Sequence, residues 1–130
     1  MQMILAVGAG GFIGAVGRYL LVARIGHWLG PNGVAGVPVG ILSANVLGSL
    51  LMGVLAGTLA WAWSPAPELR AFLSVGVLGA FTTFSTFSLE TVNLIQRGDW
   101  GGALVYILAS VLISVLGLFA GLWSVRVCLS

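Results

Sequence analysis

Four apolar windows, at about residues 3–23, 38–62, 70–96 and 101–125, occupy nearly all of this 130-residue chain. Crossing the hydrocarbon of a bilayer as a helix takes about 20 mostly apolar residues, so each window is long enough to span. With 59% of residues hydrophobic and 6% charged, a soluble domain of this size has nowhere to bury its side chains. The expectation is an all-α integral membrane protein of four transmembrane helices forming one domain over residues 1–130. Little sequence lies outside the windows, which leaves no room for a separate catalytic or nucleic-acid-binding module. The first window has no basic residue before it and no small-residue cleavage pattern after it, so it is read as a retained span rather than a signal peptide.

The charges are few and scattered. All five cations are arginines, they form no cluster, and the net charge is only +2, which argues against a nucleic-acid partner. The single cysteine, Cys128, can form neither an intrachain disulfide nor a multi-thiolate metal site. In a four-span chain, Arg70 and Arg126 fall on one side of the membrane and Arg24 and Arg97 on the other. Cytoplasmic loops normally carry the basic excess. Here the balance fixes no orientation, and Arg18, near the end of the first window, adds only a weak bias. Insertion in both orientations is therefore expected, and with it an antiparallel dimer; the competing reading is one orientation set by a marginal bias.

In the first window Gly10 and Gly14 form a GxxxG pair suited to close helix packing. Arg18 follows, read as snorkelling to the interface or drawing anions toward a vestibule. Residues 24–37 form a Gly- and Pro-rich loop that contains the lone histidine, His27. The second window carries a small-residue surface with Gly40, Ser43, Ala44, Gly48, Ser49, Gly53 and Gly57, and in it stands Asn45. An amide at that depth needs another helix or a polar cavity, and its NH2 group also offers donors to an anion. The five tryptophans fall near window ends, as interfacial belts require.

The stretch 76–90, GVLGAFTTFSTFSLE, turns abruptly polar. Thr82, Thr83, Ser85, Thr86 and Ser88 arrive where a passive span would continue with aliphatic residues. Adjacent threonines have weak helix propensity and hydroxyls that compete for backbone groups, so the helix is expected to break over 79–83. A break at membrane depth must be sheltered by protein. Beyond it, Phe84 and Phe87 are spaced to share one face, where ring edges can offer weakly positive hydrogens or simply pack. Glu90 follows on the same helix, read as an electrostatic or structural charge near the membrane edge. In the last window Tyr106, Ser110 and Ser114 recur every four residues and form a hydroxyl stripe, with Gly117 and Gly121 continuing roughly the same side.

Together these residues resemble the small dual-topology fluoride channels of the Fluc (CrcB) family. The resemblance spans essentially the whole chain and rests on GGFIGAVGRY at 10–19, the small-residue segment ending at Asn45, and TTFSTF at 82–87 followed by Glu90. It implies a passive fluoride channel rather than an enzyme, built as an antiparallel homodimer with two narrow pores in a bacterial inner membrane. It also implies a structural sodium ion on the dimer axis, held by the carbonyls of Gly79 and Thr82, and no organic cofactor. By position, Asn45, Phe84 and Phe87 are implied pore-lining groups, with Ser85 and Thr86 beside them and Tyr106, Ser110 and Ser114 as the polar track. Two departures stand out: Gly79-Ala80-Phe81 where family members often have two glycines before the motif, and Ile41 where a threonine is often found.

A dual-topology, proton-coupled exporter of hydrophobic cations would share the length and charge balance, but it needs a membrane-embedded acid. The first window has none, and Glu90 comes late in the third. A non-transporting assembly subunit would explain the glycines but not the hydroxyl stripe. If the arginine balance leaves orientation unset, a C-terminal tag in intact cells should be reachable from both membrane faces. Accessibility from a single face would refute that inference.

Overall fold

The computed structural model describes residues 1–30 and 33–129. Its helices are α1 (Gln2–Leu29), α2 (Val39–Trp61), α3 (Pro67–Ala71), a π-helical segment (Phe72–Leu78), α4 (Gly79–Phe81), α5 (Phe84–Gln96) and α6 (Trp100–Leu129). Four segments are long and apolar enough to cross a membrane: Gln2–Leu29, Val39–Trp61, Pro67–Gln96 and Trp100–Leu129. Among the described residues the fold is all-helical with these four candidate membrane spans, and the bend lies in the third. Pro38 caps α2 and Pro67 occupies the first turn of α3, where the missing N–H has no intrahelical role.

The first and last helices outrun their expected ends. Gly26 is the one weak helix former between residues 24 and 29 and does not stop the helix, so α1 continues until Gly30, whose φ of 78° closes it. His27 consequently lies in the last turn of α1, exposed, rather than in a loop. Of the loop expected at 24–37, Pro31 and Asn32 lie outside the described residues; Val34 and Val37 form an isolated bridge. At the far end of the third span Gly98, with φ 80°, donates to the Ile95 carbonyl at 2.9 Å. Asp99 then accepts the Gly102 N–H at 2.8 Å, which caps α6. Trp28, Trp61, Trp63, Trp100 and Trp123 are all exposed near helix ends, as the belt reading required.

In lipid there is little hydrophobic drive between helices, so contact depends on how closely backbones approach. Glycine permits that approach. A Cβ on Gly53 would overlap the Leu118 carbonyl, and one on Gly121 the Leu50 carbonyl, so α2 and α6 meet backbone to backbone. On the other side, Gly10 and Gly14 of α1 are buried against the third span. A Cβ on Gly10 would strike the Phe72 carbonyl, and one on Gly14 the Val77 carbonyl. Between these pairs, Ile41, Phe87, Leu94, Ala103 and Tyr106 form the buried cluster that ties α2, α5 and α6 together.

The third span is irregular over a longer stretch than the threonines alone suggest. It enters π-helical geometry at Phe72, opposite the α1 glycines, and returns to α-helix at Gly79. The break itself is narrower than expected: Gly79, Ala80 and Phe81 remain helical, and only Thr82 and Thr83 are extended. Because backbone carbonyls cannot yield as a flexible side chain can, Gly14→Val should destabilise the protein by roughly 1–3 kcal/mol. Unfolding in detergent measures this, and a variant as stable as the parent would contradict the packing described.

Candidate functional site

The break at Thr82 and Thr83 organises the site. Thr82 (φ −89°, ψ 158°) and Thr83 (φ −154°, ψ 124°) are extended, which takes their neighbours out of the helical hydrogen-bond ladder. Backbone groups freed inside a membrane must find other partners. Asn45 supplies two: the Thr83 N–H donates to its Oδ1 at 2.8 Å, and its Nδ2 donates to the Thr83 carbonyl at 3.0 Å. The Thr83 hydroxyl caps α5 by accepting from the Thr86 N–H at 3.3 Å. It also meets the hydroxyls of Ser85 and Thr86, each at 3.2 Å. From α1, Arg18 Nη1 donates to the Thr82 carbonyl at 3.1 Å. Arg18 therefore turns toward the break rather than simply snorkelling to the interface.

These substitutions leave carbonyls with capacity to spare. In a continuous helix the Thr83 N–H would donate to Gly79 and the Thr86 N–H to Thr82. Both donors are diverted, to Asn45 and to the Thr83 hydroxyl. The Gly79 carbonyl thus loses its helical donor, and the Thr82 carbonyl takes Arg18 on one of its two lone pairs. A pair of neutral oxygens so released suits a weakly bound monovalent cation. Among the described residues no group of three or more His, Cys, Asp or Glu side chains is placed to hold a metal ion.

Beside the break lies a cleft of about 280 Å³, lined by Asn45, Ser49, Thr82, Thr83, Phe84 and Phe87 on one side and Ser110 and Ser114 with two valines on the other. Several hydroxyls in the spans are satisfied by their own helices: Thr58 donates to Val54, Ser74 to Arg70, Ser88 to Phe84 and Thr91 to Phe87. Ser110 and Ser114 differ. Their Oγ atoms are buried and have no hydrogen-bond partner among the described residues. Buried polar atoms are almost always paired, so two unpaired hydroxyls in one cleft mark a place prepared for a polar guest.

Aromatic rings run away from the cleft in a ladder. Phe84 and Phe87 lie 5.3 Å apart between centroids, tilted by 48°, and Phe87 lies 5.3 Å from Tyr106, tilted by 43°. Phe87 is buried and Tyr106 fully so, whereas Phe84 is 77% exposed in the single chain. The Tyr106 hydroxyl donates to Glu90, which joins α6 to α5 and commits the tyrosine's proton. Glu90 also borders a smaller pocket with Val22, Gly26, Gly33 and Pro38, where α1 meets the first connection.

The candidates picked from sequence thus separate. Asn45, Thr82, Phe84, Phe87, Ser110 and Ser114 come together on the cleft. Ser85 and Thr86 instead join the capping network, and Thr86 borders a second cleft with Arg18, Tyr19 and Ile41. Tyr106 and Glu90 stand behind the Phe87 ring as a bonded pair. Two polar lining residues, Ser49 and Thr83, were noted in the sequence but not taken as site candidates. Ser49 sits one helical turn beyond Asn45, and that spacing was a readable signal. Thr83 acts as both helix cap and backbone partner of Asn45, and adjacent threonines alone do not show which of them caps.

The fold and this site define a small multi-pass membrane protein whose polar groups converge on one interrupted helix. Its relationships agree with that description. Residues 5–122 match the family described as "CrcB-like protein, Camphor Resistance (CrcB)". The chain is 58% identical over 126 residues to a fluoride-specific ion channel FluC of Rhodospirillum centenum, covering 97% of each. It is 51% identical over 124 residues to one of Nitrobacter winogradskyi, covering 95% of each. Against one of Rhizobium meliloti it is 45% identical over 126 residues, 97% of this chain and 98% of that one. The chain belongs to the CrcB family.

Because Asn45 satisfies both polar groups of Thr83, Asn45→Ala strands an N–H and a carbonyl at once. The expected cost is on the order of 1–3 kcal/mol. It should appear as a lowered unfolding midpoint in detergent, and an unchanged midpoint would show that the break does not depend on Asn45.

Proposed function

We propose that this protein is a fluoride-specific ion channel that lets fluoride leave the cell passively across the bacterial plasma membrane. The observation that carries the reading is the pair of buried, unpartnered hydroxyls of Ser110 and Ser114, facing a cleft whose other wall holds Asn45, Phe84 and Phe87. Fluoride is small and tightly hydrated, and burying such an ion without replacement donors costs tens of kcal/mol. The cleft offers neutral donors instead: two hydroxyls, the Asn45 hydrogen not used by Thr83, and ring edges of Phe84 and Phe87. None carries full charge, so an ion is held weakly at several places and can move on. The names of the bacterial relatives point to the same ion.

The conducting form proposed is an antiparallel homodimer with two pores. Phe84 is exposed at the open edge of the cleft, and a second copy would close that edge and give the ring a dry surface. In the same assembly a sodium ion would be held by the carbonyls of Gly79 and Thr82, which the break has released from helical bonding. That ion would supply positive charge beside the anion route and help to satisfy the released oxygens.

Reconstituted into vesicles loaded with potassium fluoride, the protein should release fluoride when valinomycin carries the countercharge, and vesicles loaded with chloride should hold their contents. Equal release of both anions would overturn the selectivity. Phe87→Ile, which keeps an apolar side chain but removes the ring edge, should lower fluoride release by about tenfold or more while the assembly persists; undiminished release would remove the rings from the path.

A further inference from the structure

We propose that Arg18 is a positioning residue for the ion route: its guanidinium holds the extended Thr82–Thr83 segment in the shape that forms the cleft. The proposal rests on the fluoride-channel reading above for its transport consequence, but not for its structural one. Along one face of α1, Gly10, Gly14, Gly17 and Arg18 meet the third span in ascending order. A Cβ on Gly10 would touch Phe72 and Gly76, one on Gly14 would touch Val77 and Phe81, and one on Gly17 would lie 3.5 Å from the Phe81 ring. Arg18 comes next and donates to the Thr82 carbonyl at 3.1 Å, the residue that follows Phe81. The glycines thus fix the height of the third span, and the arginine grips the first residue at which helical geometry fails.

Thr82 and Thr83 are held from two different helices. Asn45 of α2 takes both polar groups of Thr83, while Arg18 of α1 takes the Thr82 carbonyl. The cleft lies on one side of this pair and is lined by both threonines. Arg18 also borders a second cleft of about 340 Å³, together with Thr86. Arg18 is thus bonded to the extended segment without itself lining the first cleft. A charge-assisted hydrogen bond from a planar, permanently charged donor suits this task, because it is stronger and more directional than a neutral one. Without it the Thr82 carbonyl has no donor among the described residues in place of the helical one, and Asn45 is left to hold the segment alone.

Arg18→Met removes the donor, and Arg18→Lys keeps the charge without the planar fork. Two readouts on the full-length protein are compared. The first is hydrogen exchange in detergent, which does not depend on what the protein transports. In Arg18→Met the amides at 82–86 should exchange about tenfold faster than in the parent, with those of the α2–α6 contact unchanged, and Arg18→Lys should fall between. The second is fluoride release from vesicles, which should drop about tenfold in Arg18→Met and be partly restored in Arg18→Lys. Unchanged exchange in Arg18→Met overturns the proposal, and so does faster exchange with undiminished fluoride release. If Arg18→Met does not assemble, Arg18→Lys decides alone: parent-like values in both readouts overturn it, and intermediate values support it. A parent protein that releases no fluoride would defeat the channel reading, while the exchange result would still judge the role of Arg18.

Discussion

Hydrocarbon offers no hydrogen bonds, and this chain interrupts a membrane helix. The rest of the structure depends on how that conflict is met. Thr82 and Thr83 leave the helical ladder, so their backbone groups and those of the preceding turn must be satisfied by protein. Asn45 and Arg18 reach in from two different helices to do so, and the Thr83 hydroxyl restarts the helix as its cap. The glycine contacts of α1 follow from the same need. Only a close, fixed approach of α1 to the third span brings Arg18 within reach of one particular carbonyl.

The break also sorts the polar groups by purpose. Hydroxyls such as those of Thr58 and Thr91 return to their own helix and add nothing to the cleft. Ser110 and Ser114 face Asn45 and the phenylalanines without a partner, and in the channel proposed here they wait for an anion. Tyr106 belongs to the same stripe but donates its hydroxyl hydrogen bond to Glu90 and buttresses the Phe87 ring. An acid so engaged offers little support to a proton-coupled exporter of cations, for which Glu90 was the candidate substrate group.

Much of this was legible in the residues. Four apolar windows fixed the number of spans because length and hydropathy settle that question in a bilayer. The GxxxG of α1 and the hydroxyl stripe of α6 were readable as faces because helical periodicity is regular. What could not be read was anything set by tertiary partners. Arg18 looked like a snorkelling side chain because its target lies 64 residues away. The break looked broad because propensity marks weak helix over several residues, whereas Asn45 at 2.8 Å selects the one where the ladder opens. The π-helical turn has no propensity signature of its own, and its place opposite Gly10 and Gly14 becomes visible only when the spans are packed.

In the proposed channel the unpaired hydroxyls beside the break form the fluoride route. The most direct measurement is fluoride release from vesicles by the Ser110→Ala/Ser114→Ala double variant, beside the parent protein. Both substitutions remove a hydroxyl without filling the cleft or breaking a hydrogen bond of the fold. The account predicts at least a tenfold fall in fluoride release with stability unchanged. Parent-like release from the double variant would contradict it.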